Sequence, residues 1–217
     1  MAKTRYTIAI MDEEAKERAK FANFFDQDFN IFEIPSISSV DGLIDKIKAE
    51  NIDAIAIDYK LKEHHSRFKE NGDYFFKQLI SRLQEFPAFV LTQDAEKAKR
   101  ESKLIKPRFI IDKEIYHKLH GNDKKAFMND IISEINTYKK SFTEKLKRLK
   151  ELEKIKKNKK LNDSLENEYL NLNNEISQSL SGYQALPLKY FSQDTNKKLD
   201  EVLTKTDELI KNITKKK

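Results

Sequence analysis

The sequence predicts an α/β fold, a doubly wound parallel (βα)5 sheet, followed by an all-α tail that is a coiled coil or a helical hairpin. Three observations predict it. Short, continuously apolar runs alternate with amphipathic stretches over the first 137 residues, the pattern of βα units around a parallel sheet. Beyond that point apolar residues recur mainly at intervals of three and four, the spacing of a helical stripe. The chain holds only 4 Gly and 4 Pro, and 36% of it is charged, which suits long helices better than the tight turns of a β-sandwich.

The elements follow in order. YTIAIM (6–11) predicts a first buried strand, because an unbroken apolar run has both faces covered. Residues 13–25 place Ala15, Ala19, Ala22 and Phe25 at helical spacing. FNIFEI (29–34) predicts the second strand, and Val40 to Glu50, with Leu43, Ile44 and Ile47, the second helix. DAIAID (53–58) is the third strand and ends on an aspartate. The third helix starts at the Asn71-Gly72 turn and buries Phe75, Phe76, Leu79, Ile80 and Leu83; PAFVLT (87–92) is the fourth strand. A charged helix covers 94–104, PRFIID (107–112) is the fifth strand, and a fifth helix begins near Asn122.

That helix continues past the domain. Ile131, Ile135, Tyr138, Phe142, Leu146, Leu149 and Leu152 recur every three or four residues, so 1–137 is read as the α/β domain and 138–217 as the helical tail. A second tail helix is predicted over 161–180, through Leu165, Tyr169, Leu172 and Ile176. Gly and Pro in SGYQALPLKYFSQD (181–194) break it, and a third helix runs from Asn196 through Leu199, Val202, Thr206, Leu209 and Ile213.

Composition narrows the function. There is no cysteine, so disulfides and thiolate metal sites are excluded. About six apolar positions precede an acidic cluster at the N-terminus, too few for a secretory core or a membrane span, and a cytoplasmic protein is expected. Net charge is +6, and all of it lies in the tail: residues 1–137 carry 23 basic and 24 acidic residues, and 138–217 carry 19 and 12. Lys139 to Lys160 alone holds 11 basic and 3 acidic residues, a run that can be a solvated helix face or can meet phosphate or anionic lipid. His64, His65, His117 and His120 lack companion ligands at matching spacing and are read as exposed side chains.

In an open parallel sheet of order 2-1-3-4-5, ligands bind outside the carboxyl ends of strands one and three, where the connections diverge. Here strand one ends in Asp12-Glu13-Glu14 and strand three in Asp58. Carboxylates brought so close repel, and a hard divalent cation such as Mg2+ relieves the repulsion. Strand four ends in Thr92 and strand five in Asp112-Lys113, adding a hydroxyl and an ammonium that can pair with phosphoryl oxygens.

This set resembles the receiver domain of response regulators, which has the flavodoxin-like fold, over residues 5–137. The resemblance implies that Asp12 and Glu13 hold Mg2+, that Asp58 accepts a phosphoryl group and is itself a metal ligand, and that the Lys60 backbone carbonyl is a further ligand. It implies Thr92, in FVLTQDAE, as the switch hydroxyl, and Lys113, in FIIDKE, as the lysine that senses the phosphoryl group. The implied partners are a histidine kinase or other phosphodonor and, through the tail, a second copy or another protein. Such a protein is not a turnover enzyme, since it catalyses at most its own phosphoryl transfer and loss. Glu114 follows the lysine where the family usually has proline, and Ile110 stands where a switch Tyr or Phe often sits, with Phe109 beside it. Residues 61–70, LKEHHSRFKE, form an insertion that caps the cleft or binds a partner.

Two other functions fit the same residues. One is a degenerate receiver that works as a phosphorylation-independent scaffold; the other is a basic helical adaptor that binds nucleic acid through Lys139 to Lys160 without a base-reading module. An aspartate-nucleophile phosphatase of the haloacid-dehalogenase type fits poorly, because its second aspartate would stand at position 60, which is Lys60.

Overall fold

A computed structural model describes residues 5–61, 68–101, 110–159 and 161–181. The chain divides into two compact units, the first ending at Glu144 in the main chain and the second beginning at Lys145, with a few residues near position 180 grouped with the first.

The first unit is built on five parallel strands, β1 (Thr7–Met11), β2 (Asn30–Ile34), β3 (Ala54–Asp58), β4 (Ala88–Thr92) and β5 (Ile110–Asp112), in the order β2-β1-β3-β4-β5. Helices α1 (Ala15–Phe25), α2 (Val40–Ala49), α3 (Gly72–Arg82) and α4 (Ala95–Glu101) connect them; α5 (Lys113–Tyr116) and α6 (Gly121–Asn158) follow β5. Side chains alternate across the sheet as the pleat requires. Ala9, Met11, Ile55, Ile57 and Val90 enter one core with Leu43, Ile47, Phe75, Phe76 and Leu79 from α2 and α3. Ile8, Ile10, Ala54, Ala56, Phe89 and Leu91 enter the other with Phe21, Phe25, Met128, Ile131 and Ile135 from α1 and α6. Two apolar layers therefore cover β1, β3 and β4 on both faces, which is why their sequences read as unbroken apolar runs.

Strand β2 is different because it is an edge. Its burial runs exposed, half-buried, half-buried, exposed, buried, and its exposed Glu33 accepts from Arg18 Nε at 2.8 Å.

The buried face of α1 corrects the sequence reading. Of the stripe Ala15, Ala19, Ala22 and Phe25, only Phe25 is buried; Ala15 and Ala19 are exposed, Ala22 is half-buried, and Phe21 and Phe24 join Phe25 on the core face. Burial free energy scales with apolar area, so three phenyl rings set the helix rotation against a stripe of methyl groups. The rings pack on Phe29, Tyr116 and Phe127 with centroids 4.3–6.4 Å apart. A second difference is α5, a four-residue helix that the sequence reading lacks; Asp112 caps it by accepting the Glu114 N–H at 2.7 Å.

In the second unit, the last part of α6 lies beside α7 (Asp163–Ser181), with Lys145 paired to Glu175 and Arg148 to Glu168, the antiparallel sense of a helical hairpin, one of the two forms expected for the tail. Among the described residues, its buried apolar side chains are Leu149, Leu152, Leu161 and Ile176. Arg148 donates Nε and Nη2 to the two carboxylate oxygens of Glu168 at 2.6 and 2.8 Å, and this lowers the Glu168 pKa from its ordinary value. Lys145 Nζ lies 3.2 Å from Glu175, and Lys156 Nζ sits 4.5 Å from the centre of the Tyr169 ring. The third tail helix predicted from Asn196, the residues His64, His65, Phe109 and Lys160, and most of the 61–70 insertion lie outside the described residues. Among the described residues, no helix is long and apolar enough to cross a membrane.

Candidate functional site

The order of the sheet makes the chain diverge at β1 and β3, and at their carboxyl ends lie Asp12 and Asp58. Four polar side chains there are nearly sealed from solvent: Asp12 is 1% exposed, Thr92 4%, Asp58 6% and Lys113 7%. Burial of charge on this scale demands pairing. Lys113 supplies it, with Nζ 2.8 Å from Asp12 Oδ2 and 2.6 Å from Asp58 Oδ1.

Each aspartate also has its second oxygen tied to the main chain. Asp12 Oδ1 accepts the Glu14 N–H at 2.9 Å, and Asp58 Oδ2 accepts the Lys60 N–H at 3.1 Å. Thr92 Oγ1 accepts the Asp94 N–H at 3.2 Å. The end of β3 is itself held, since Tyr59 donates its N–H to Leu91 O at 2.8 Å and accepts the Gly72 N–H at 3.0 Å. An open pocket of about 230 Å³ lies over these groups, lined by Glu13, Glu14, Asp58, Lys60, Thr92, Gln93, Asp94 and Lys113.

Glu13 completes an acidic triad. One oxygen from each of Asp12, Glu13 and Asp58 lies within 4.8 Å of the others. Glu13 Oε2 is buried without a hydrogen-bond partner, an unfilled acceptor beside Asp12 and Asp58, whose oxygens are all engaged. Burial raises the Glu13 pKa to about 7, against a lowering by its backbone hydrogen bond, and Asp58 and Asp12 push it further up. Burial also raises the Asp58 pKa, although Lys113 opposes it. For Lys113 burial disfavours the charge, but the Asp58 and Asp12 carboxylates overcome that and its pKa is raised. A hard, oxygen-seeking divalent cation fits this donor set.

The sign of the Glu13 effect gives a test. Its carboxyl binds a proton more tightly in the folded chain than in the unfolded one, so its contribution to stability is complete below pH 4.5 and is lost as the pH rises through about 7. Without divalent cations, Glu13→Gln should therefore stabilise the protein at pH 8 by on the order of 1 kcal/mol after allowance for solvent screening, and do little at pH 4.5. Urea denaturation at the two pH values reads this difference; equal effects at both would contradict it.

Asp12, Glu13, Asp58, Thr92 and Lys113 thus come together around one cleft, with Lys60 at its rim. Ile110 is buried, and Glu114 is exposed on α5. Gln93 and Asp94 also line the pocket without a role expected from the sequence, their only signal being adjacency to Thr92, and Glu14, expected at the end of strand one, lines it as well. His117 and His120 lie beyond α5 and do not line the cleft; His120 is exposed as expected, whereas His117 is half-buried with its ring 4.6 Å from that of Tyr116.

No protein-family model matches the chain, and no curated protein matches it. Among solved structures, a response regulator receiver protein from Pseudoalteromonas atlantica is similar at 17% identity and TM-score 0.40, over 60% of this chain and 98% of its own. The anti-anti-sigma factor PhyR from Bartonella quintana is similar at 12% identity and TM-score 0.45, over 66% of this chain and 52% of its own. An adenylate cyclase from Rhodopirellula baltica is similar at 16% identity and TM-score 0.45, over 64% and 95%. Such values carry no functional argument. The parallel sheet of order 2-1-3-4-5 is the flavodoxin-like doubly wound arrangement expected from the sequence, and it carries the acidic cluster at its switch point.

Proposed function

We propose that the chain is a phosphorylation-controlled signalling receiver in which Asp58 accepts a phosphoryl group. The observation that carries this reading is the buried Asp12–Lys113–Asp58 bridge beside the unfilled Glu13 oxygen, under an open pocket. A structural ion pair alone leaves the pocket and the unfilled acceptor unexplained.

In the proposed step an Asp58 carboxylate oxygen attacks phosphorus of a histidine-kinase or small-molecule phosphodonor. The new O–P bond forms as the donor's bond to phosphorus breaks, and the leaving group takes that electron pair and a proton. Asp12, Glu13, Asp58 and the Lys60 carbonyl would hold Mg2+, which when bound offsets the negative charge gathered in the cleft. Lys113 is placed to trade its contact with Asp58 for a phosphoryl oxygen. Thr92, at the end of β4 and lining the same pocket, offers a hydroxyl to another oxygen. The chain then acts through its helical tail on a partner or a second copy and turns over no external substrate.

Intact mass measured after incubation with acetyl phosphate and Mg2+ tests this. The wild type should gain one phosphoryl group and Asp58→Ala none. A wild type that neither gains the adduct nor binds beryllofluoride would leave the scaffold reading in its place.

A further inference from the structure

The second unit carries a charge pattern that the receiver reading does not use. Between Lys145 and Asn158, α6 has seven basic residues and two acids, Glu151 and Glu153. Three of the seven face α7 and are occupied: Lys145 by Glu175, Arg148 by Glu168, and Lys156 by the Tyr169 ring. The other four, Lys147, Lys150, Lys154 and Lys157, are exposed, and among the described residues none has an ion-pair partner. Their spacing of three, four and three residues puts them on one helix face, over about 15 Å of axis at 1.5 Å per residue. Two acids border that face: Glu151 lies 3.4 Å from Arg148 Nη1, and Glu153, between Lys150 and Lys157, is exposed without an ion pair to any of the four, so four lysines face solvent beside one uncommitted carboxylate.

We propose that this lysine row binds the phosphate backbone of nucleic acid without reading its sequence. A linear row of unneutralised ammonium groups on a helix complements a linear row of phosphates, and each contact gains by releasing a condensed counterion. A membrane surface is the poorer match. An interfacial helix must bury an apolar face in lipid, and here Leu149 and Leu152 are already buried in the hairpin. The α7 face of a second copy is also a poor match, since its Glu168 and Glu175 are taken by Arg148 and Lys145 within the hairpin. The row contains no arginine or aromatic side chain that could read or stack on a base, so the contacts stay on phosphate.

The test is fluorescence anisotropy of the full chain with a short labelled DNA duplex of arbitrary sequence, and with a single strand of equal length. Four phosphate contacts predict a log–log salt slope of about −3.6 on duplex, roughly a hundredfold loss of affinity between 50 and 200 mM salt. Replacing all four lysines (Lys147→Gln, Lys150→Gln, Lys154→Gln, Lys157→Gln) should weaken binding at least tenfold at the lower salt and flatten the slope, with an unchanged thermal melt. The variant Lys215→Gln, Lys216→Gln, Lys217→Gln should bind like wild type. The proposal is overturned if wild type binds neither probe at 50 mM salt, or if the fourfold variant binds unchanged. It is overturned equally if the C-terminal variant alone loses binding, or if wild type binds phosphatidylserine vesicles and neither probe.

Discussion

Gly72→Ala is expected to cost the (βα)5 unit at least about 4 kcal/mol, enough to leave a protein of ordinary stability largely unfolded. A β-carbon at this position would lie 1.7 Å from the Asp58 backbone oxygen, 2.7 Å from its carbonyl carbon and 2.9 Å from Ile57 Cγ2. Helix propensity alone favours alanine by about 1 kcal/mol, so the close contact decides the sign. Overpacking against a mobile side chain costs about 1–3 kcal/mol. Here the obstacle is the main chain of a central strand, fixed between β1 and β4 and held by the Tyr59 N–H to Leu91 O bond. Moving it would also displace the Asp58 carboxylate. The midpoint of urea unfolding followed by circular dichroism measures the loss, and an unchanged midpoint would refute the contact.

Lys113→Met should destabilise the protein by about 3 kcal/mol at pH 8 without divalent cations, because removing one partner of a buried ion pair leaves the other charge uncompensated. Two carboxylates depend on this ammonium, both almost wholly buried. The deficit has a definite pH dependence. Burial already raises the Asp58 pKa and Lys113 is the chief influence holding it down, so its loss moves that pKa further up. Protonation then relieves the stranded charge, and the deficit should shrink as the pH falls from 8 towards 5. Millimolar Mg2+ at pH 8 should recover part of it by mass action. Urea titrations of wild type and variant under the three conditions give the comparison; a deficit independent of pH and Mg2+ would mean that Lys113 contributes only packing.

These two residues also show what a sequence can and cannot convey. Asp58 was legible because an apolar strand stopped on a charged residue, and Lys113 because it followed another such run. A carboxylate or ammonium at a strand end has few places to point in a parallel sheet, so position in the pattern already fixed the neighbourhood. Gly72 was legible only as half of an Asn-Gly turn. Its contact with Asp58 O spans fourteen residues and depends on how α3 is seated, which no local pattern encodes. The face of α1 differs for a related reason: Ala15, Ala19, Ala22 and Phe25 satisfy a helical period, but Phe21 and Phe24, together with Phe25, bury far more area than the alanines do. The four residues of α5 are too few to show a period at all. Asp53 read simply as the start of a strand; its carboxylate accepts the Thr7 N–H at 2.8 Å and pairs with Lys139 at 2.6 Å, contacts to residues 46 and 86 positions away.

The short, charged border of the sheet bears on how copies of this chain can meet. An open strand edge is a template on which another backbone can hydrogen-bond, the route to runaway strand addition. Strand β2 has only five residues, carries the exposed Glu33 as its fourth, paired with Arg18, and is followed at once by Pro35, which has no N–H to offer. Extending the sheet would therefore bury a charge and end at a proline after a few residues. At this border, contact between copies through the backbone ladder is disfavoured, and side-chain surfaces are the reversible alternative.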